Sequence, residues 1–502
     1  MQYVVGLDLG SGSIRAAVFD LNGTLAALAS CASVSTTPDP EEPGHIVWPH
    51  TNLWANTCAV LKEALAGLPP GASIAGVSVA CLGMDGLPVD RNGAELFDLI
   101  SWTDSRCVPY YERWIAEFGE DRQFRATGTP ARGFSTIFRL QWMADHHPEV
   151  LERTHKWVLI GDYINMKFCG ELATDYSMAA STLLFDPATN DWHPEIARAA
   201  GIDTELMCDP LPAGTMLGKV GAAAAEVSGL PLGTPVVLGG HDYLCGVLPV
   251  GGHKPGTIVN VGGTWDVIQT TLPSFSIPEA AVGTGMTYEP HVAPNMYSVF
   301  GAAIGGAVSE WFRARFLGEV DNQAWYDAVE AASNQEGGHV MFLPHFAGAS
   351  GPVVDIHSSG AIVGLRSEND TTQVLSAVFE GLAFQTREIL EAMTNTGARA
   401  EKFVMVGGSS NNPTLVQRRA NILGLSIEIP DITETATMGA AMLAGLGAGV
   451  FADLAEAAAS MRGNVRRYEP IPAKVDAATE RFGIYQKLYP ALREAHHDLS
   501  RY

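Results

Sequence analysis

Four short segments bring together residue types that can handle a phosphorylated ligand and a hydroxyl group. The first is Asp8–Arg15, DLGSGSIR. Gly10 and Gly12 let the backbone turn tightly, Ser11 and Ser13 offer hydroxyls, and Arg15 can reach an anion. Asp8, closing an apolar run, can hold a metal through water. An ordinary hairpin turn with a surface arginine has the same composition, and the segment alone leaves the two readings even. The second is Gly239–Asp242, GGHD. A carboxylate just beyond an apolar run and two glycines is fixed and partly desolvated, as a general base for a hydroxyl must be. A helix N-cap is the simpler reading of the same aspartate. His241 reads as a hydrogen-bonded structural histidine before it reads as a metal ligand. The third and fourth, Gly262–Gly263–Thr264 and Gly407–Asn412 (GGSSNN), follow apolar runs and can present backbone amides to phosphate or lie against a nucleobase. A strand-end turn explains each equally well. Gly301–Gly306 (GAAIGG), ahead of Trp311, is similar, its alternative being small residues for close helix packing, the reading given to Gly439–Gly449.

These segments need rigid elements to hold them. Tyr3–Asp8 (YVVGLD) reads as a buried strand, Ile14–Asp20 as a second and Leu25–Ser30 as a third, with Asn22–Gly23 as a hairpin signal. Trp54–Leu65 has helical periodicity and Ile74–Ala80 is again a strand. The second half repeats the pattern. Pro235–Gly240 and Thr257–Val261 are apolar strands ending in glycine, Trp265–Gln269 continues extended, and Lys402–Val406 enters Gly407–Gly408 before a helix over Pro413–Leu423. GGHKPG interrupts the periodicity near residues 250–256. The reading is therefore a duplicated α/β fold of two domains, 1–252 and 253–502, with a cleft between them and a helical tail at the end.

The chain of 502 residues is long enough for two or three domains, and at 47% hydrophobic and 17% charged it is globular. A net charge of −24 without any Lys/Arg run argues against a nucleic-acid partner. An anionic ligand would have to be held by a metal and by backbone amides. The seven cysteines are odd in number and lack CxxC spacing, so neither a disulfide framework nor a zinc site is expected, and a reducing compartment fits. No run of about 20 apolar residues spans a membrane. The N-terminus lacks a basic n-region and a cleavage site, so the cytoplasm is the expected location. The chain has no GxxxxGK[ST] and no strand–GxGxxG–helix unit, which argues against a Walker-type nucleotide binder and a Rossmann dehydrogenase.

Over residues 3–455 the chain resembles the FGGY carbohydrate kinases, relatives of the actin-like ATPases. Gly360–Glu380, GAIVGLRSENDTTQVLSAVFE, is similar to the family's C-terminal signature, including Gly360, Gly364, Gln373, Ala377 and Glu380. Phe134–His146, FSTIFRLQWMADH, approximates the N-terminal signature, with Arg139 where the family usually has Lys. The resemblance implies two duplicated actin-like, ribonuclease H-like domains flanking a catalytic cleft, with ATP and Mg2+ as cofactors. Asp8, Ser11, Gly12, Ser13 and Arg15 resemble the first phosphate loop, and Gly263 and Thr264 the second. Gly306 and Glu310 resemble a nucleotide-site Gly and Gln, the Glu being a departure, and Gly408 and Asn412 the adenine-side pair. Asp242 resembles the catalytic base, and Asp8 and Asp242 are the implied metal holders. Met84 and Asp85 (CLGMDG), with Trp102 and Asp104 (SWTDSR), resemble the sugar-contacting elements, joined by Phe134.

Glycerol kinases carry Arg-Glu where this chain has Met84–Asp85, and Tyr where it has Phe134. The combination GMDG, ISW, GGHD and GGTWDVI looks most like fuculokinase-type members, with xylulokinases second. The implied reaction is transfer of the γ-phosphoryl group to a primary hydroxyl of a ketose of five or six carbons (fuculose, xylulose or ribulose type), a polyol kinase being the alternative. The partners are a small sugar and ATP, with a homodimer left open. Two other classes remain: a non-catalytic sensor on the same fold, disfavoured by Asp242, and a chaperone-like ATPase, disfavoured by residues 83–86 and 102–106.

Overall fold

The computed structural model describes residues 1–335, 338–461 and 463–502. Its first half is built on a six-stranded sheet. Gln2–Leu9 lies at the middle, antiparallel to Ser13–Asp20, which is antiparallel to Leu25–Ala32. On its other side it runs parallel to Ser73–Cys81, then Pro235–His241, with Met216–Lys219 as the antiparallel edge. The middle strand QYVVGLDL is buried from Tyr3 to Leu9, as a strand covered on both faces must be, whereas Leu25–Ala32 is mostly exposed. The Asn22–Gly23 turn forms with Gly23 at φ 80°, and Asp20 Oδ1 accepts from the Asn22 and Thr24 amides.

The second half repeats the order. Gly256–Gly262 pairs antiparallel with Trp265–Leu272, which pairs with Tyr297–Ile304. On the other side it runs parallel to Ala400–Gly407, which is parallel to Ile427–Pro430. Thr287–Pro290 and Val465–Tyr468 close the edges of this seven-stranded sheet. The sixth strand of the first half precedes its neighbour in the chain, whereas Val465–Tyr468 follows its neighbour, so the duplicated unit is the five-stranded core.

In each half the last parallel strand leads into a helix, Asp242–Val247 and Thr435–Gly447, and these two equivalents pack against each other. The sequence TATMGAAMLAGLG makes this possible. A Cβ on Gly439 would run into the Cys245 carbonyl, and one on Gly6, in the first sheet, into that of Thr437. The helix of the second half thus lies directly on the sheet of the first, and its Thr437–Gly445 stretch is wholly buried. Close packing by small residues, the expectation for this segment, is what the structure has. Among the described residues, no helix is long and apolar enough to cross a membrane.

Candidate active site

Parallel strands aim their carboxyl ends at one place, and the first half gathers its acids there. Asp8 is level with Ala80 of Ser73–Cys81, and so is Gly240 of the next strand, two residues before Asp242. Asp8 is buried, and its Oδ1 has no hydrogen-bond partner. Burial raises its carboxyl to about 7, the nearby Asp242 charge adding to this and Arg15 opposing it. Arg15 stands 3.9 Å from Asp8 and 3.6 Å from Glu434, and its Nε donates to Ser13 Oγ at 3.1 Å.

Asp242 opens its helix, and its two oxygens differ. Oδ1 accepts the Tyr243 amide at 2.6 Å and lies 2.8 Å from His241 Nδ1, while Oδ2 carries no hydrogen bond among the described residues. Asp242 is the first residue of the helix, with His241 at the N-cap position and no side-chain cap bond, so the cap reading does not hold. One oxygen is held by its two neighbours, and the other is free in the cleft. Burial acts to lower the His241 pKa, but the Asp242 hydrogen bond and charge outweigh it, and the net direction is up. The far edge of the imidazole lies against Gly83, where any Cβ would meet Nε2 at 2.6 Å. Behind it sit two further buried acids. Asp175 caps its own helix through the Ser177 and Met178 amides, and burial lifts its carboxyl to about 6. Glu289 crosses from the second half, and burial lifts it to about 8 against the pull of His241.

The predicted sugar-side residues line the loops next to this corner. Met84 adopts φ 53°, a left-handed conformation unusual for a side chain with a Cβ. Ser181 Oγ accepts its amide at 3.0 Å, and Thr136 and Arg139 donate to its carbonyl. Trp102 and Phe134 meet edge to face with centroids 6.2 Å apart. Asp85 and Asp104, expected to contact sugar, are each bonded to protein groups. Asp85 is fully buried, with Oδ1 on Arg139 at 2.8 Å and Oδ2 on Trp48 Nε1 at 2.7 Å, and burial lifts its carboxyl to about 6 against the pull of Arg139. Asp104 takes both Nε and Nη2 of Arg106 and the Ile46 amide. Both carboxylates are thus engaged with protein groups and brace the loops that face the pocket.

Across the cleft, the second half presents three glycine turns. Gly305 and Gly306 donate to the Thr264 and Gly263 carbonyls at 3.0 and 2.8 Å, so the turns at 262–264 and 305–306 are tied together. A Cβ on Gly408 or Gly12 would meet nothing within 4 Å, and one on Gly263 only the Trp265 carbonyl at 3.7 Å. A ligand therefore has room to approach the backbone at these positions, although the Gly263 amide itself already donates to the Trp265 carbonyl at 2.9 Å. Ser11 and Glu310 are exposed. Asn412 is not a free amide. It caps the helix Pro413–Leu423 through the Leu415 amide at 2.9 Å, and its Nδ2 donates to Glu330 at 3.2 Å.

Two sequence profiles match this chain: the FGGY family of carbohydrate kinases, N-terminal domain, over residues 3–249, and the C-terminal domain of the same family over residues 258–448. The chain belongs to the FGGY family of carbohydrate kinases. This FGGY kinase is 29% identical to the autoinducer-2 kinase of Klebsiella pneumoniae over 97% of its own length and 94% of the relative's. It has the fold of a xylulose kinase from Rhodospirillum rubrum (TM-score 0.91, 24% identity, 99% and 100% of the two chains). A Plasmodium falciparum glycerol kinase with ADP is also similar (TM-score 0.86, 18% identity, 97% and 98%). The kinase is thus a phosphotransferase acting on a sugar, and its family uses ATP with Mg2+.

The C-terminal signature proves to be structural in this kinase. Gly364 has φ 87°, and a Cβ there would strike the His339 carbonyl. Gln373 completes a capping box with Asp370 at the start of the helix Thr371–Asn395, and Glu380 pairs with Arg481 and Arg418. Sequence reasoning noticed Arg139 only as a departure from Lys, and it missed Trp48, Asp175 and Glu289. Trp48 lies 37 residues and Arg139 54 residues from the Asp85 they bind, and no spacing rule links them.

Proposed function

We propose that this chain transfers the γ-phosphoryl group of ATP to a primary hydroxyl of a small open-chain ketose of five or six carbons. We take residues 1–252 as the sugar side with the first phosphate turn, and residues 253–502 as the nucleotide side. The observation that carries the reading is the divided carboxylate of Asp242, with Oδ1 committed to Tyr243 and His241 and Oδ2 free. A base that keeps one oxygen fixed can accept a proton on the other without losing its orientation. The sugar hydroxyl gives its proton to Oδ2 as its oxygen bonds to the γ-phosphorus. The bond from that phosphorus to the β-phosphate oxygen breaks, and ADP leaves. The open turns around Gly12 and Gly408, with the 262–264 turn beside them, would hold the phosphates through backbone amides, which a chain of net charge −24 requires.

The unpartnered Asp8 Oδ1 suits Mg2+, which takes one or two carboxylates and completes its shell with phosphates and water, and the nearby Asp242 charge would add to the attraction. Among the described residues no group of three ligands surrounds a metal on its own, in keeping with an ion that arrives with the nucleotide. Bound there, it would neutralise the triphosphate charge.

The substrate class follows from the pocket walls. Met84, Trp102 and Phe134 are carbon surfaces, and the Asp85 and Asp104 carboxylates are already drawn to Arg139, Trp48 and Arg106. A substrate with a carbon chain to cover suits them better than glycerol, whose three hydroxyls need more polar partners. The curated relatives, named autoinducer-2 kinases, favour autoinducer-2 as a second reading. An ADP-release assay with D-xylulose, D-ribulose, L-fuculose, autoinducer-2 and glycerol compares kcat/KM on one preparation. A ketose as the best substrate supports the proposal, autoinducer-2 as the best establishes the second reading, and glycerol as the best overturns both.

A further inference from the structure

Beneath the nucleotide-side turns lies a charged pair that the reaction as described does not use. Asp266 follows the 262–264 turn directly, and its Oδ2 accepts Arg419 Nη2 at 2.9 Å. Both residues are buried. Arg419 belongs to Pro413–Leu423, the helix that Asn412 caps beyond the Gly407–Gly408 turn. Its other bonds reach Asn260 Oδ1 and Thr386 Oγ1, each at 3.3 Å, on the strand leading into the turn and on the helix Thr371–Asn395. The second Asp266 oxygen lies against two glycines. A Cβ on Gly305 would stand 2.6 Å from Oδ1, and one on Gly262 3.3 Å from it.

We infer that Asp266 and Arg419 are positioning residues for the nucleotide, locking the turns at 262–264, 305–306 and 407–408 into one rigid floor. Turns that present backbone amides have no side chains of their own to hold them, so their geometry must come from below. The backbone bonds from Gly305 and Gly306 tie two turns together, and the Asp266 side chain is placed against both. Arg419 then couples that pair to the helix that starts at the third turn. The pair is desolvated, and an unpaired member would draw in water and displace the turns. The inference rests on the nucleotide-side reading given above.

The test is calorimetry of Mg-ADP binding with steady-state kinetics on Asp266→Asn, Arg419→Gln and the double variant, which removes both charges together. Expected are an ADP Kd and an ATP KM raised tenfold or more in each single variant, a smaller loss in the double variant, and a sugar KM within twofold of wild type. Thr386→Val, which removes one bond to Arg419 and lies outside the turns, should raise the ADP Kd twofold to fivefold. Were the single variants not to fold, the double variant and Thr386→Val decide by the same comparison. An ADP Kd within twofold of wild type in every folded variant would overturn the inference, and so would a parallel fall in ADP and sugar affinity, which marks a general fold defect. Wild-type protein that binds no Mg-ADP would instead refute the nucleotide-side reading itself.

Discussion

Asparagine at position 242 keeps the shape of the side chain and removes one negative charge. The Tyr243 amide and His241 Nδ1 both sit on Oδ1, so the asparagine oxygen stays there and its NH2 takes the place of Oδ2. The group facing the sugar hydroxyl is then a donor that cannot accept its proton. Loss of a general base lowers a rate by about 10²–10⁴-fold. At about 1.36 kcal/mol per tenfold, this is roughly 2.7–5.5 kcal/mol on the barrier. Because the oxygen bonded to Tyr243 and His241 is retained, thermal unfolding should shift little. ADP release under saturating ATP and sugar measures kcat, and calorimetry with ADP checks that the nucleotide side is intact. Turnover above a tenth of the wild-type rate would show that Oδ2 is not the proton acceptor, and the mechanism above would have to be abandoned.

Three further outcomes can be checked. Glu289 is held protonated with a pKa of about 8, so the folded protein binds a proton there that the unfolded chain, near 4.5, releases. Stability should therefore fall between pH 4.5 and 8 on its account, and Glu289→Gln should show a melting-temperature gain that grows from pH 5 to pH 8 and then levels off; a gain independent of pH would show that this carboxyl is ionised in the fold. Gly263→Val leaves the fold intact, since a Cβ there meets only the Trp265 carbonyl at 3.7 Å, but should weaken ATP binding far more than sugar binding; titration calorimetry finding sugar affinity lost and ATP affinity kept would reverse the two sides of the cleft. Arg139→Met strands the buried Asp85 charge and should destabilise the protein by about 3–5 kcal/mol in urea unfolding, and a loss under about 1 kcal/mol would mean that Asp85 is already neutral.

The sheets were legible because buried strands announce themselves in Tyr3–Asp8, Thr257–Val261 and Lys402–Val406, and because glycine marks each strand end. The helix Pro413–Leu423 was legible from its N1 proline and the glycine after it. Asp242 and the glycine turns were readable as motifs. Side-chain saturation was not. Asp85 and Asp104 looked like sugar acceptors because a sequence shows a carboxylate but not its occupants, and those occupants come from Trp48, Arg139 and the loop at Ile46. Asn412, matched to the adenine-side pair, has both ends of its amide bonded, one to the Leu415 amide and one to Glu330, which its sequence position does not reveal. Burial of like charges at Asp8, Asp175 and Glu289 arises only when three strands and a segment of the other half converge, so no local pattern records it.

The helix Thr435–Gly447 lies bare-backboned on the sheet of the opposite half. Its Met438, Met442 and Leu443 are buried in one cluster with Val4, Phe19 and Leu244 of that half, so the two halves are keyed together along it. The same contact means that neither half is a self-sufficient piece: severed between them, the first would expose the groove around Gly6 and Gly76, and the second would carry an unpaired apolar rod. Separately produced halves should therefore seek each other out and reassemble.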